Sequence, residues 1–228
     1  MSRSLFLQLI NKAKNEGRNI LYEHEVKHLL KSYGIDTTNP IFIKNREELE
    51  SLNLVYPCVV KIVSPQVIHK SDVGGVILNT KNKEELLNAF EKIRNNVEGK
   101  GIKIEGFIVE EQVEKGIEII IGSYKDRVFG NVIMFGGGGI YVEAYKDVSF
   151  RIVPINKKDA LEMIEETIIG NVLKGFRGIK YDIDSVVDAL IKISNLIEDN
   201  KEIIELDLNP IYVYNQGIKV VDARLRFV

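Results

Sequence analysis

The hydrophobic pattern of this chain alternates between two periods. Apolar residues recur at helical spacing over residues 4–15 and 183–197, whereas short runs rich in Val and Ile, such as Cys58–Val63, are typical of buried strands. The two kinds of segment follow one another without the regular strand–helix–strand repeat of a parallel sheet. The pattern therefore predicts an α+β fold with its strands and helices organised in two lobes.

The junction of the two lobes is expected near residues 110–113, because strand-rich segments with their own helices lie on both sides of it. We expect a single domain over residues 1–228, with the first lobe at about 18–112 and the second at about 113–228. No low-complexity linker or internal repeat interrupts the chain.

Charge, hydropathy and cysteine content exclude several classes of protein. The formal net charge of −2 lacks the basic excess of a nucleic-acid-binding domain. No run of about 18 apolar residues occurs, and the N-terminal apolar stretch is too short for a secretory signal. The single cysteine, Cys58, cannot form an internal disulfide or a cysteine metal cluster. We therefore expect a cytoplasmic protein with no membrane and no nucleic-acid partner.

A lysine in an apolar strand precedes a loop with the composition of a phosphate site. Lys61 lies in the run Cys58–Val63, and residues 68–76 follow with a histidine, a lysine and paired glycines. Glycines let backbone N–H groups approach phosphate oxygens, and a lysine in a buried strand is costly unless it meets an anion. The alternative is a surface hairpin in which the Lys61 ammonium is solvated. No GxxxxGK[ST] or GxGxxG motif occurs, so neither a P-loop nor a dinucleotide fold is predicted.

Oxygen ligands lie near the other end of the chain. Asp207 and Asn209 are two residues apart on a predicted strand, so their side chains share a face. A turn at Asn209–Pro210 and a following antiparallel hairpin would return Asp222 to that face. Two carboxylates and an amide oxygen suit Mg²⁺, which binds a few protein oxygens plus substrate phosphates. The alternative is a strand end whose polar side chains cap the turn before Pro210.

Two further segments allow a ligand without requiring one. Glu110 and Glu118 flank an acidic turn and could contact a base and a ribose, or the turn could simply be solvated. The glycine run 136–139 is followed by Glu143. Ordering four glycines is entropically costly, which indicates either a close approach at this point or a flexible loop.

Taken in this order, the segments 68–76, 135–143 and 207–210 resemble the ATP-grasp β subunit of ADP-forming acetate–CoA ligase, also called NDP-forming acyl-CoA synthetase. The family is related to the β subunit of succinyl-CoA synthetase, and the resemblance extends from about Tyr22 to Leu225. It implies an ATP-grasp fold with the nucleotide in the cleft between the two lobes.

The resemblance also implies an activity and a partner. Such an acid–thiol ligase interconverts an acyl-CoA, ADP and phosphate with the free acid, CoA and ATP, and it uses Mg²⁺. A separate CoA-binding α subunit carries the acyl-phosphate chemistry on its own histidine, and an α2β2 heterotetramer is expected. The isolated chain is expected to be nearly inactive.

Nucleotide contacts follow from the same resemblance. Lys61 would contact the phosphates, and residues 68–70 form the loop that covers them. Glu110 and the backbone of Val113 match the segment that holds adenine, and Glu118 matches the ribose contact. The full nucleotide-binding set implied is Lys61, Ile68, Lys70, Glu110, Val113, Glu118 and Arg224.

The implied catalytic set centres on His69. His69 matches the position that receives a phosphoryl group from the α-subunit histidine and passes it to ADP, which favours the acetate-type over the succinyl-type branch. Asn209 and Asp222 match the Mg²⁺ ligands, and Asp207 lies near the metal and the phosphoryl group. Glu143 would orient His69 or stabilise its phosphorylated form.

Two other functions stay open at this point. The first is a nucleotide-binding regulatory subunit without turnover. The second is another ATP-grasp ligase, one that joins a carboxylate to an amine without a CoA-binding partner.

Overall fold

Antiparallel strands and flanking helices form two units in this protein. The computed structural model describes residues 2–67, 69–138, 147–175 and 180–228. The large unit comprises Met1–Thr37 and Lys115–Val228, and the small unit comprises Thr38–Glu114. The mixture of helices and strands confirms the predicted α+β class.

Seven helices and eleven strands make up the described part of the chain. They are α1 (Ser2–Asn15), β1 (Ile20–Leu21), α2 (Glu23–Ser32), β2 (Ile41–Ile43), α3 (Arg46–Ser51), β3 (Cys58–Val63), β4 (Val76–Thr80), α4 (Lys83–Glu98), β5 (Gly106–Glu111), β6 (Ile117–Asp126), β7 (Gly130–Gly137), β8 (Val148–Ile152), α5 (Lys157–Glu165), α6 (Ile168–Leu173), α7 (Ile183–Asp199), β9 (Ile203–Val213), β10 (Ile218–Val220) and β11 (Arg224–Phe227).

The small unit is a four-stranded antiparallel sheet in the order β2-β5-β3-β4, with helices α3 and α4. Helix α4 begins where the Asn82 side chain accepts the N–H of Glu85 at 2.9 Å. Alternate residues of β3 and β5 share one core with the apolar side of α4; they are Cys58, Val60, Ile62, Phe107 and Val109. The opposite face of this sheet therefore carries Lys61 and Glu110.

The large unit has a seven-stranded sheet in the order β1-β11-β9-β6-β7-β8, with β10 paired to β9. Its core contains the apolar sides of α1, α2 and α7 and alternate residues of the central strands, such as Ile119, Ile121, Leu206 and Leu208. Because side chains alternate along a strand, the residues between these lie on the other face of the sheet. That other face carries the acidic residues of β6 and β9.

The first 37 residues pack with the C-terminal part of the chain, so the predicted first lobe, about 18–112, differs from the small unit at its start. Strand β1 pairs antiparallel with β11 through Ile20–Arg226 and Leu21–Leu225. Helix α2 buries its apolar side in the large core. The chain crosses into the large unit after Glu114, close to the predicted junction.

The predicted turn at Asn209–Pro210 is wrong, because β9 continues from Ile203 to Val213. The pairing of β9 with β6 shifts register between Ile119 and Ile121, and Pro210 lies at this irregularity. A proline has no N–H for the sheet, and such positions are where a strand tolerates one. The predicted strand 218–223 is shorter in the structure, because β10 ends at Val220 and the next strand, β11, begins only at Arg224.

No helix within the described ranges is sufficiently long and apolar to cross a membrane.

Candidate functional site

Lys61 and Glu110 form a buried ion pair in the small unit. Strand pairing places Val59 opposite Glu110 and Lys61 opposite Ile108, so the two charged side chains are diagonal neighbours on one face. Lys61 Nζ lies 2.6 Å from Glu110 Oε1. Lys61 is 4% exposed and Glu110 is 2% exposed, which contradicts the alternative of a solvated surface lysine.

A buried threonine completes this group and was not predicted from the sequence. The Thr38 hydroxyl donates to Glu110 Oε2 at 2.7 Å, and Thr38 is 1% exposed. Residues 38 and 110 are distant in the chain, so only the folded structure could identify this contact. Glu110 was predicted to contact adenine and Lys61 the phosphates. In the structure the two charges hold each other, so the ammonium is fixed in position by Glu110.

His69 lies on an exposed loop whose glycines have a structural purpose. The Gly75 N–H donates to the Lys70 carbonyl at 2.7 Å, and the Asp72 N–H donates to the His69 carbonyl at 3.2 Å. A Cβ at Gly75 would lie 2.5 Å from Ile62 Cγ2, so the loop turns back tightly against β3. His69 is exposed and Lys70 is half-buried. Ile68, predicted to cover the phosphates, lies outside the described residues.

The predicted adenine segment is held by a glutamine that was not predicted from the sequence. The Gln112 side-chain amide donates to the Val113 carbonyl at 3.3 Å, and its oxygen accepts the Asn79 N–H at 3.1 Å. The Gln112 N–H donates to the Pro57 carbonyl at 2.9 Å. Val113 is half-buried, and the hydrogen bond from the Gln112 side chain holds its carbonyl in place. A polar residue after a strand of the small sheet was the only sequence signal for Gln112.

Cys58 contributes no reactive group to this unit. It belongs to the core between the sheet and α4, and it is 1% exposed. Burial, with a smaller effect of the nearby Glu111 carboxylate, raises the pKa of the Cys58 thiol. A thiol in this state is not a nucleophile at neutral pH.

One sheet face of the large unit brings together the predicted acidic residues. Asp207 pairs with Gly122 of β6 on one side and with Arg224 of β11 on the other, so Asp207 and Arg224 are cross-strand neighbours. Glu118 pairs with Tyr212 of β9 on the same face. Asp207, Glu118 and Arg224 are all half-buried.

Asn209 and Asp222 lie on adjacent segments at this face. The Val221 N–H donates to the Pro210 carbonyl at 3.0 Å, which joins the two segments next to both side chains. Asp222 Oδ1 accepts the Ala223 N–H at 2.8 Å, and Asn209 and Asp222 are half-buried. Strands β9 and β10 form the predicted antiparallel hairpin, with Val213 opposite Ile218, and Asp222 follows β10 on the segment that lies beside Asn209.

The oxygen donors of this face fit a magnesium ion bound together with a nucleotide. No group of three or more His, Cys, Asp or Glu side chains in the described part of the chain could by itself hold a metal. Mg²⁺ is commonly bound through one or two carboxylates, with waters and substrate phosphates completing an octahedron. Asn209 and Asp222 would supply such a partial set, with Asp207 beside them.

The described glycines of the run 136–139 allow close backbone packing. The Gly138 N–H donates to the Glu118 carbonyl at 2.8 Å, and a Cβ on Gly138 would lie 2.8 Å from the Ile119 carbonyl oxygen. A Cβ on Gly136 would lie 2.7 Å from Val148 Cγ1. The close approach at these glycines is therefore that of the protein's own chain. Gly139 and Glu143 lie outside the described residues.

Comparison of the sequence with known proteins identifies its family and several relatives. A family model described as an ATP-grasp domain matches residues 12–227. The chain is 44% identical over 223 residues to the ADP-forming acetate–CoA ligase I subunit beta of Pyrococcus furiosus, and the match covers 96% of each chain. It is 42% identical over 208 residues to the ADP-forming acetate–CoA ligase II of Archaeoglobus fulgidus, covering 90% of this chain and 30% of that protein.

The chain also matches solved structures over its whole length. The dinucleotide-forming acetyl-coenzyme A synthetase 1 of Candidatus Korarchaeum cryptofilum, in complex with coenzyme A, Ca-AMPCP and HgCl⁺, gives a TM-score of 0.92 at 46% identity and covers 100% of both chains. Another structure of that synthetase contains a phosphorylated phosphohistidine segment, with a TM-score of 0.87 at 44% identity and 100% coverage of both chains. A third contains Mg-AMPPCP, with the phosphohistidine segment pointing towards the nucleotide-binding site, and gives a TM-score of 0.83 at 44% identity and the same coverage.

Proposed function

The chain belongs to the ATP-grasp family of ADP-forming acetate–CoA ligase β subunits, and we propose that it is the nucleotide-binding subunit of such an acid–thiol ligase. The reaction is the interconversion of an acyl-CoA, ADP and phosphate with the free acid, CoA and ATP. The observation that carries the proposal is the position of His69, which is exposed on the loop that follows the strand of Lys61. The related Korarchaeum synthetase has a phosphohistidine segment and binds nucleotide analogues.

The rest of the enzyme is proposed to be a CoA-binding α subunit. The chain spans 96% of the Pyrococcus β subunit but only 30% and 29% of two Archaeoglobus relatives. Those longer relatives are consistent with a reaction that needs additional protein beyond the ATP-grasp part. We place the assembly as an α2β2 heterotetramer in the cytoplasm.

His69 is the proposed phosphoryl carrier. Its neutral imidazole nitrogen attacks the phosphorus of the phosphohistidine on the α subunit, so a P–N bond forms on His69 as the P–N bond to the partner imidazole breaks. A terminal oxygen of ADP then attacks the same phosphorus, the P–O bond of ATP forms, and the His69 imidazole leaves. The phosphoryl group passes between groups that accept it readily. The subunit therefore mainly has to position the reacting groups and neutralise the charge of the phosphates.

Charged groups in each unit are proposed nucleotide contacts. Lys61, held by Glu110, and Lys70 supply positive charge to its phosphates, and the Gln112–Val113 segment receives the base. In the large unit, Glu118 is the proposed ribose contact and Arg224 contributes charge. When bound, Mg²⁺ neutralises phosphate charge.

Asn209 and Asp222 would hold this Mg²⁺, and Asp207 would orient its bound water or the phosphoryl group. Glu143 is the proposed partner of His69, which it would orient or stabilise in its phosphorylated form.

The test combines this chain with its α subunit. We expect ATP formation from acetyl-CoA, ADP and phosphate with the mixture and almost none with either chain alone. His69→Asn should abolish ATP formation and the acid-labile phosphoryl label on this chain, while the affinity for ADP stays within about two-fold. Ser71→Ala, an exposed change in the same loop, should leave all three unchanged.

Three results would contradict the proposal in different ways. Full turnover by His69→Asn would remove the carrier role. ADP binding without turnover in the wild-type mixture would favour a regulatory subunit. Amide formation by the isolated chain with an amine acceptor would favour another ATP-grasp ligase.

A further inference from the structure

Lys27 is a fully buried lysine in the large unit that the proposed mechanism does not use. It lies on α2, its side chain is 0% exposed, and its Nζ is 2.6 Å from Glu23 Oε1 one helical turn earlier. The Glu23 side chain is 2% exposed. A buried ion pair of this kind contributes little stability compared with apolar side chains of similar volume, because both charges lose their hydration. A contribution to stability therefore does not explain why Glu23 and Lys27 are charged.

The ammonium also reaches the segment that carries a proposed metal ligand. Lys27 Nζ donates to the Val221 carbonyl at 2.7 Å. That carbonyl belongs to the peptide unit between Val221 and Asp222, and a peptide unit is planar, so the hydrogen bond fixes the orientation of the Asp222 N–H and restricts its Cα. The Val221 N–H is held from the other side by the Pro210 carbonyl at 3.0 Å, next to Asn209.

We propose that the Glu23–Lys27 pair is a positioning device for the magnesium site: Glu23 aims the Lys27 ammonium at the Val221 carbonyl, and this contact holds Asp222 beside Asn209. The proposal rests on the proposed function, because it requires that Asp222 binds a metal. Metal sites depend on such supporting contacts, and losing one typically costs about 10- to 100-fold in metal affinity.

The test separates metal positioning from general stability. In the full-length chain, the affinity for ADP is measured by calorimetry with Mg²⁺ and again with EDTA, and the ratio of the two affinities reports the metal-linked part of binding. The variant Glu23→Leu/Lys27→Met replaces the pair by apolar side chains. We expect the metal-linked ratio to fall by about 10- to 100-fold, with the metal-free affinity for ADP unchanged within about two-fold.

A second buried pair, which joins the same helix to the segment before β1, provides the matched control. Arg18 Nη1 lies 3.0 Å from Glu25 Oε2, and their side chains are 6% and 3% exposed. The Arg18 guanidinium of this pair donates to the Ile20 carbonyl rather than to the Asp222 segment. Arg18→Met/Glu25→Gln should therefore keep the wild-type ratio. Lys27→Arg retains a charged donor, so the ratio of the two ADP affinities should fall less in this variant than in the apolar double variant.

The outcomes are distinct. An unchanged ratio in folded Glu23→Leu/Lys27→Met, or an equal fall in the control variant, overturns the proposal. If the apolar variant does not fold, Glu23→Gln/Lys27→Gln is measured instead, because the shorter amide side chain at position 27 also releases the Val221 carbonyl and the same fall is expected. A wild-type chain whose ADP affinity does not depend on Mg²⁺ would refute the proposed function itself, and this result is seen before any variant is made.

Discussion

Replacing Lys61 by methionine tests the buried pair of the small unit most directly. Lys61→Met leaves the Glu110 carboxylate, 2% exposed, without the ammonium 2.6 Å away. Removing one partner of a buried pair costs about 3–5 kcal/mol, because a charge is left in a medium of low polarity. For a chain of this size each kcal/mol lowers the midpoint of thermal unfolding by about 2–4 °C, so a fall of roughly 6–20 °C is expected.

The double variant Lys61→Met/Glu110→Leu distinguishes a structural role from a role in binding. Replacing both charges of a buried pair by apolar side chains is often neutral or stabilising, so we expect the midpoint to recover to within a few degrees of wild type. Affinity for ADP should not recover, because the positive charge proposed to meet the phosphates is absent. The exposed pair Arg46–Glu50, 47% and 45% exposed, is the control: Arg46→Met should leave the unfolding midpoint close to that of wild type.

Thermal unfolding by circular dichroism and ADP titration by calorimetry are the two assays. A wild-type unfolding midpoint in Lys61→Met would refute the energetic argument for the pair. Wild-type ADP affinity in the stable double variant would refute the proposed contact of Lys61 with the nucleotide, and would leave the pair with a purely structural role.

Three other predictions concern the large unit and α4. Asp222→Ala should raise the Mg²⁺ concentration needed for tight ADP binding by about 10- to 100-fold or more, since losing a ligand costs at least as much as losing a residue that orients one; an unchanged requirement in the titration would exclude Asp222 as a ligand. The Arg151 guanidinium, with Ser149, lowers the pKa of Glu166 from 4.5 to about 2, so its stabilising contribution is present above pH 4.5 and is lost as the pH falls towards 2. The unfolding midpoint of Glu166→Gln should therefore vary less than that of wild type over this pH range, and parallel curves would contradict the assignment. Gly138→Ala should lower the free energy of unfolding by about 1–3 kcal/mol, because its Cβ would meet the β6 backbone, whereas Gly99→Ala, at a helical φ of −60°, should be near neutral in the same denaturant titration.

Local features of the sequence were sufficient to predict most of the helices and strands. The predicted strand Cys58–Val63 has the observed bounds, and the helix predicted after Asn82 begins with the side chain of Asn82 accepting the N–H of Glu85. These features depend on a few neighbouring residues, through alternation, helical spacing and capping. Motifs of the same local kind identified the ATP-grasp family, which the comparisons confirm.

Contacts between distant residues required the folded chain. The sequence marked Lys61 and Glu110 as separate candidates, and strand pairing joined them with Thr38. The turn predicted at Asn209–Pro210 was wrong because the neighbouring strand β6 accommodates the proline through a shift in register.

What the sequence by itself determined was the class of the chain, most of its helices and strands, and the residue types available for phosphate and metal chemistry. Only the tertiary structure decided that residues 18–37 pack with the C-terminal part, and that Lys27 holds the carbonyl before Asp222 across 194 positions of the chain. The physical reason is that periodicity and capping act between near neighbours, whereas pairing, burial and buried charge depend on which distant segments the whole fold brings into contact.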